Sequence, residues 1–174
     1  ERVIHFANLQ NGELFLAEET IPCSDFLQSV VEPVEPVVIA EQRTVETRCS
    51  DDVSAICGDG EQLLLALSSL VVNAAKHGEG DIELFAALGE EKSVRLTCAD
   101  QGAGCSEELI ERSSHPFSVD KDLDTRSVGG LGLGLPLAKK IAELHGGKLQ
   151  SGKNSVQSWV EIVLPSWRCG ALAS

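Results

Sequence analysis

Three short runs of the 174-residue chain combine residue types and spacings that can do chemistry. In the first, Ser69, Asn73 and His77 recur at i, i+4 and i+8, with Lys76 three residues after Asn73. They form one polar stripe on a segment, residues 62–77, that is otherwise apolar nearly all round. Polar groups on a buried helix must find partners or cost free energy. The stripe therefore reads as an internal hydrogen-bond network, as a helix end leaving for solvent, or as a site with an oxygen ligand (Asn73) and cations for phosphate (Lys76, His77). The second run is Asp100-Gln101-Gly102-Ala103-Gly104. A carboxylate leaving an apolar strand can accept a hydrogen bond from a base amine, and glycines at spacing two clear the approach. Alone, the same pattern is an ordinary turn. In the third run, Gly130-Leu131-Gly132-Leu133-Gly134, three glycines let the backbone come close to a ligand. The helix that follows offers its N-terminus to an anion.

These residues need a frame. Residues 1–10 read as a short helical piece ending at Asn11-Gly12, and Leu14-Phe15-Leu16 as a strand. Ser24 can cap a helix over residues 25–42, with Phe26, Leu27, Val30, Val31, Val34, Val38 and Ile39 on its apolar face. Pro33 and Pro36 would kink or break it. Residues 44–49 and 53–57 read as strands, and Asp59-Gly60-Glu61 caps the long helix that ends at Lys76 or His77. Residues 81–88 and 93–99 form an antiparallel pair across Gly89-Glu90-Glu91. From 104 to 128 periodicity is weak apart from a short helix at 107–112, the signature of a functional lid. Pro136 suits a first helical turn. Leu137, Ile141 and Leu144 then make one buried face, with Lys139, Lys140 and Glu143 pointing away and Gly146 as the stop. Strands at 148–151 and 156–164 close the chain. The sum is an α+β two-layer sandwich: three helices against one mixed, mostly antiparallel sheet, with a mobile lid.

Composition narrows the function. Fourteen basic against 27 acidic residues give a net charge of −13, the wrong sign for a phosphate backbone, so no nucleic-acid partner is expected. No apolar run approaches the roughly 18–20 residues of a membrane span, and no signal peptide is recognisable. The missing initiator Met suggests a fragment. Six cysteines without CxxC spacing, and no histidine near one, argue against zinc. Cys49, Cys57 and Cys98 read as free thiols in strands, in a reducing compartment, and Cys105 beside a glycine turn is a candidate reactive thiol.

Taken together and in this order, Asn-x-x-Lys-His on a helix, Asp-x-Gly-x-Gly after a strand, a lid, and Gly-x-Gly-x-Gly before a helix resemble the histidine-kinase branch of the Bergerat-fold (GHKL) ATPases. The likeness covers about residues 12–166 and includes His115-Pro116-Phe117, similar to the family's lid phenylalanine box, and the closing Val163-Leu164-Pro165. It implies that residues 1–11 end an upstream dimerisation helix and linker, and that 12–174 are an ATP-binding catalytic domain. By resemblance Asn73 is the Mg²⁺ ligand and a catalytic residue together with Lys76, and Lys76 and His77 face phosphate. Asp100 reads adenine with Gly102 and Gly104 beside the base, and Ser158 supports Asp100 through water. Gly130, Leu131, Gly132, Leu133 and Gly134 shape the lid around the triphosphate, with Lys121 and Arg126 as candidate phosphate contacts. ATP and Mg²⁺ are the implied ligands. The implied partners are a histidine-bearing dimerisation domain of the same kinase and a response regulator. The resemblance further implies a monomeric fragment of a homodimeric, cytoplasmic kinase, with any membrane anchor in other segments.

The sequence departs from the pattern at Ser69, where such kinases often carry Asn and the family's hydrolases carry a catalytic Glu. A serine cannot be that general base, which implies slow intrinsic hydrolysis. Ser114 replaces the first lid phenylalanine, and Leu131 stands where Thr is frequent. None of His5, His77, His115 and His145 sits in the phosphoacceptor pattern. Other patterns fail: there is no P-loop, the glycine spacing is wrong for a dinucleotide fingerprint, and Asp120, Asp122 and Asp124 start a calcium loop that Thr125 and Leu131 do not continue. Two further readings remain: a nucleotide-binding regulatory or pseudokinase module without phosphotransfer, and a GHKL-type ATPase or serine kinase.

Overall fold

A computed structural model describes residues 16–112 and 134–170. The first strand, β1 (Glu19–Pro22), leads directly into helix α1 (Cys23–Ala40). Strands β2 (Val45–Cys49) and β3 (Ala55–Gly58) precede the long helix α2 (Gly60–His77). Strands β4 (Ile82–Leu88) and β5 (Val94–Asp100) come next, then the short helix α3 (Glu107–Arg112). Helix α4 (Gly134–Leu144), β6 (Lys148–Lys153), β7 (Ser158–Leu164) and the two-residue β8 (Cys169–Gly170) complete the described chain.

Five strands in the order β2-β4-β5-β7-β6 make the main sheet. β2 runs parallel to β4, and every other pairing is antiparallel. Period-two alternation puts Ile82, Leu84 and Ala86 of β4, Val94, Leu96 and Cys98 of β5, and Ile162 and Leu164 of β7 into the core. The helices cover that face. α2 packs between α1 and α4 and also rests on β5. Its nearly all-round apolar sequence follows from that central position.

Two expectations about the sheet need correction. The strands do not form one sheet: β1, β3 and β8 form a second, three-stranded sheet around β3. Leu16 lies outside any strand, and the strand of this region is Glu19–Pro22. A four-residue and a two-residue strand are too short to show a period, so neither was readable as a partner of β3.

Helix α1 also departs from expectation. It starts at Cys23 with Pro22 as its N-cap residue, and Ser24 makes no cap bond. Pro33 and Pro36 neither break nor end it. Both lie on the exposed side, as do Ser29 and Glu32, the residues whose carbonyls lose a helical donor to the two prolines. Solvent can take those carbonyls, so the cost stays low. Ile39, expected on the apolar face, is 64% exposed near the helix end.

The caps of the other helices follow the sequence closely. Asp59 accepts from the Gln62 N–H at 3.0 Å to start α2. Gly146, at φ +77°, closes α4, with its N–H on Glu143 O and the Gly147 N–H on Ala142 O, both at 2.9 Å. On the sheet face away from the helices, the buried Glu161 accepts from Thr97 Oγ1 and Arg95 Nε at 2.9 Å each, and from Gln150 Nε2 at 2.6 Å. This charge is buried with its partners in place, as burial of a carboxylate demands.

Candidate functional site

Asp100 ends β5 opposite Ser158, the first residue of β7. Its Oδ1 accepts from the Gly102 N–H at 2.6 Å and from the Glu79 N–H at 3.4 Å. The Glu79 carbonyl accepts from the Gln101 N–H at 2.8 Å, so the turn after α2 and the turn after β5 hold each other. A Cβ on Gly78 would fall 2.6 Å from Asp100 Cγ, and one on Gly102 2.8 Å from Asp100 Oδ1 and 3.0 Å from Gly78 Cα. Glycine is required at both places by lack of room. Gly104 adds a second constraint, with φ at +81° and a would-be Cβ 2.7 Å from Ser158 Cβ. Ser158 is buried, and its Oγ has no hydrogen-bond partner among the described residues. A buried hydroxyl without a partner beside a half-buried carboxylate is a donor–acceptor pair poised for a polar ligand or water.

The end of α2 supplies the other wall. Asn73 is half-buried, while Lys76 and His77 are exposed and make no hydrogen bond or ion pair among the described residues. A Cβ on Gly134, the first residue of α4, would lie 2.9 Å from Asn73 Nδ2 and 3.0 Å from Oδ1. The last glycine of the ladder thus seats directly on the Asn73 amide. Ser69 belongs elsewhere. It is 1% exposed, and its hydroxyl donates to Leu65 O at 2.8 Å, so the expected polar stripe starts at Asn73.

The structure thereby groups Asn73, Lys76 and His77 at the end of α2, Asp100, Gly102, Gly104 and Ser158 at the end of β5, and Gly134 against Asn73. Lys121, Arg126, Gly130, Leu131, Gly132 and Leu133 lie outside the described residues, as do His115-Pro116-Phe117 and the helical piece at 1–10. Two parts of the site escaped sequence reasoning. Gly78-Glu79-Gly80 was not singled out in the sequence, although the contact of Gly78 with Asp100 makes it part of the wall. Arg43 had no local pattern at all. Its guanidinium donates to Glu79 O at 2.7 Å, to Ala75 O at 3.3 Å, and also to Gly80 O and Ala74 O.

Thiol chemistry plays no part in this arrangement. All six cysteines are free. Cys98, under the site, is pushed up to about 12 by burial and then by Asp100, against a lowering pull from Arg43. Burial also raises Cys105, which opposes the thiolate form a reactive cysteine needs. Next to Asp100, on the helix-free side, a cleft of about 220 Å³ is lined by Glu46, Asp81, Glu83 and Arg48, among others. Arg48 is already paired with Glu83 at 2.7 Å, so this acidic cleft, which Asp100 and Gln101 also line, repels a phosphate chain. Among the described residues no helix is long and apolar enough to cross a membrane, and no three His, Cys, Asp or Glu side chains converge to hold a metal.

The chain is similar in sequence and fold to known proteins. Residues 58–168 match the family described as histidine kinase-, DNA gyrase B- and HSP90-like ATPase. The chain is 35% identical to the sensor protein DivL of Caulobacter vibrioides, over 83% of this chain and 18% of that protein. It is 30% identical to the sensor protein GacS of Pseudomonas syringae, over 95% of this chain and 19% of that protein. It thus spans about a fifth of the length of these relatives. Among solved structures, full-length ShkA in complex with AMPPNP superposes with a TM-score of 0.75 at 24% identity, over 94% of this chain and 35% of that one. The catalytic domain of histidine kinase ThkA gives 0.66 at 21% identity, over 86% of this chain and 97% of that one. At such identities the likeness is one of fold. The match over residues 58–168, together with the sensor-kinase relatives, leads to one assignment: the chain belongs to the histidine kinase-, DNA gyrase B- and HSP90-like ATPase family, as an ATP-binding catalytic domain of the sensor histidine kinase type.

Proposed function

We propose that this domain binds ATP with Mg²⁺ and presents the γ-phosphate to a histidine on a dimerisation domain of the same kinase, for onward transfer to a response regulator. The observation that carries the reading is the meeting of two half-sites. One is a carboxylate between glycines with an unpartnered Ser158 hydroxyl behind it; the other is an Asn73 amide under the first residue of α4. The first half fits the adenine amine, which donates where Asp100 accepts. The second half fits a metal-bound triphosphate: Asn73 Oδ1 is an oxygen donor of the kind Mg²⁺ takes, Lys76 brings positive charge to a net acidic chain, and His77 brings an imidazole that can hydrogen-bond a phosphate oxygen. Bound Mg²⁺ would neutralise charge on the phosphates.

Phosphoryl transfer asks a protein chiefly for positioning and charge neutralisation. In this reading Asp100 and the 78–80 turn fix the base, and Asn73, Lys76 and Gly134 orient the phosphate end. Ser69 is buried and bonded within its own helix, so no side chain at that position activates water. The reading therefore favours transfer over hydrolysis, in a cytoplasmic domain of a homodimeric kinase. Calorimetric titration with ATP·Mg²⁺, ADP·Mg²⁺ and GTP·Mg²⁺ tests the first step, with ATP expected to bind more tightly than GTP. Incubating the nucleotide-loaded domain with the histidine-bearing domain of the longer protein tests the second. Acid-labile phosphate should appear on the added domain, and none forming despite ATP binding would leave a nucleotide-binding module without phosphotransfer.

A further inference from the structure

We propose that Arg43 is a positioning residue for base selectivity, acting through the 78–80 turn that backs Asp100. The inference rests on the reading of Asp100 as the base-reading carboxylate. Arg43 stands between α1 and β2, and its half-buried guanidinium enters the carbonyl end of α2. Four backbone oxygens share it: Ala74 and Ala75 in the last helical turn, and Glu79 and Gly80 beyond it. A helix end leaves its last carbonyls without partners and carries partial negative charge, and a planar five-donor cation satisfies both needs at once.

The geometry then runs in two short steps to the site. The Glu79 peptide that Arg43 grips by its oxygen also holds the Gln101 N–H at 2.8 Å, and its own N–H points to Asp100 Oδ1 at 3.4 Å. Gly80, gripped by the same guanidinium, sits at φ +65°, a backbone conformation that favours glycine, with the Gln101 side chain against it. Release of the turn would let Gly78 withdraw from its packed position against Asp100. Asp100 would keep the Gly102 bond but lose its fixed direction. The Asn73–Gly134 contact, one turn back along α2, is made by the Asn73 side chain and not by the 78–80 peptides.

The test compares the unaltered chain with Arg43→Gln and Arg43→Lys, titrating each with ATP·Mg²⁺ and GTP·Mg²⁺ and recording thermal melts alongside. The ATP-to-GTP affinity ratio should fall about tenfold in Arg43→Gln, the weight of one well-placed hydrogen bond to a charged group. It should fall less in Arg43→Lys, and GTP affinity should hold in both. Equal losses for the two nucleotides, or a ratio that survives while the melting temperature drops, would show Arg43 to be structural only and overturn the proposal. Should Arg43→Gln fail to fold, Arg43→Lys carries the same ratio test. An unaltered chain that binds ATP and GTP equally would instead remove the Asp100 reading, an outcome distinct from a preserved ratio in the variants.

Discussion

The backbone N–H of Asp59, the N-cap residue of α2, donates to Nε2 of His145 over 3.0 Å. His145 in turn donates from Nδ1 to Ile141 O at 2.8 Å. An imidazole that accepts at one nitrogen and donates at the other is neutral. Fully buried just past the end of α4, it ties that helix to the start of α2, and so joins the two helices whose other ends meet at Asn73 and Gly134.

A pH dependence follows from this contact. Burial lowers the His145 pKa below its ordinary 6.5, outweighing the raising effect of Ile141 O. The unfolded chain therefore takes up this proton at a higher pH than the folded one. The stability from neutral His145 is complete above about pH 6.5 and declines as pH falls below it, levelling off under the folded pKa. Urea midpoints between pH 7.5 and 5 should fall more steeply for the natural chain than for His145→Gln. At pH 7.5, His145→Ala should cost about 1–3 kcal/mol, because it leaves the buried Asp59 N–H unpaired.

Gly134→Ala separates binding from folding. Alanine is the better helix former, so the melting temperature should hold or rise slightly. Its Cβ would crowd the Asn73 amide at 2.9 Å and displace it. ATP·Mg²⁺ affinity should drop about tenfold or more, the cost of a charge-assisted contact. Unchanged affinity by calorimetry would detach Asn73 from the nucleotide.

Asp100→Asn addresses the base. The amide can turn an N–H toward Gly102 or toward the adenine amine, and either leaves two donors opposed. ATP should weaken by a factor corresponding to about 1–3 kcal/mol, and GTP should hold or gain, because an amide N–H can donate to the guanine carbonyl. Parallel weakening of both nucleotides would place Asp100 in scaffolding rather than in base recognition.

Ser69→Ala should leave ATP affinity and the rate of ATP hydrolysis unaltered, because the hydroxyl is committed to Leu65 O. Stability should move by less than about 1 kcal/mol, since a serine bonding back along its own helix adds little. A colorimetric phosphate assay and a melt suffice to check both.

What the sequence made legible was periodic or local. The alternation of β4 and β5, the Asp59 cap and the Gly146 stop are each written within a few neighbouring residues, and all appear where expected. The candidate set Asn73, Asp100, Gly102 and Gly104 rests on the same kind of signal, spacing within single elements. The grip of Arg43 on Ala74 and Glu79 was not, because it links residues more than thirty positions apart through backbone oxygens, which carry no residue identity. Ser69 misled because helical spacing places it in line with Asn73 but cannot show that its hydroxyl turns back onto its own helix. Ile39 misled because apolar type was taken for burial, while at the helix end only its neighbour Val38 turns into the core.

The small sheet has a mechanical meaning. β1 and β8 flank β3 on opposite sides and run antiparallel to it, with Glu19 opposite Gly58 at one end and Gly170 opposite Ala55 at the other. Tension applied ahead of Glu19 and beyond Gly170 would therefore leave from opposite ends of β3 and load the ladders in shear, where bonds must fail together rather than unzip one by one. The Arg168–Glu18 ion pair at 2.7 Å crosses the same joint. A pull on the domain would be borne there, on the short sheet, and the five-stranded sheet that holds Asp100 would turn as an unstretched body.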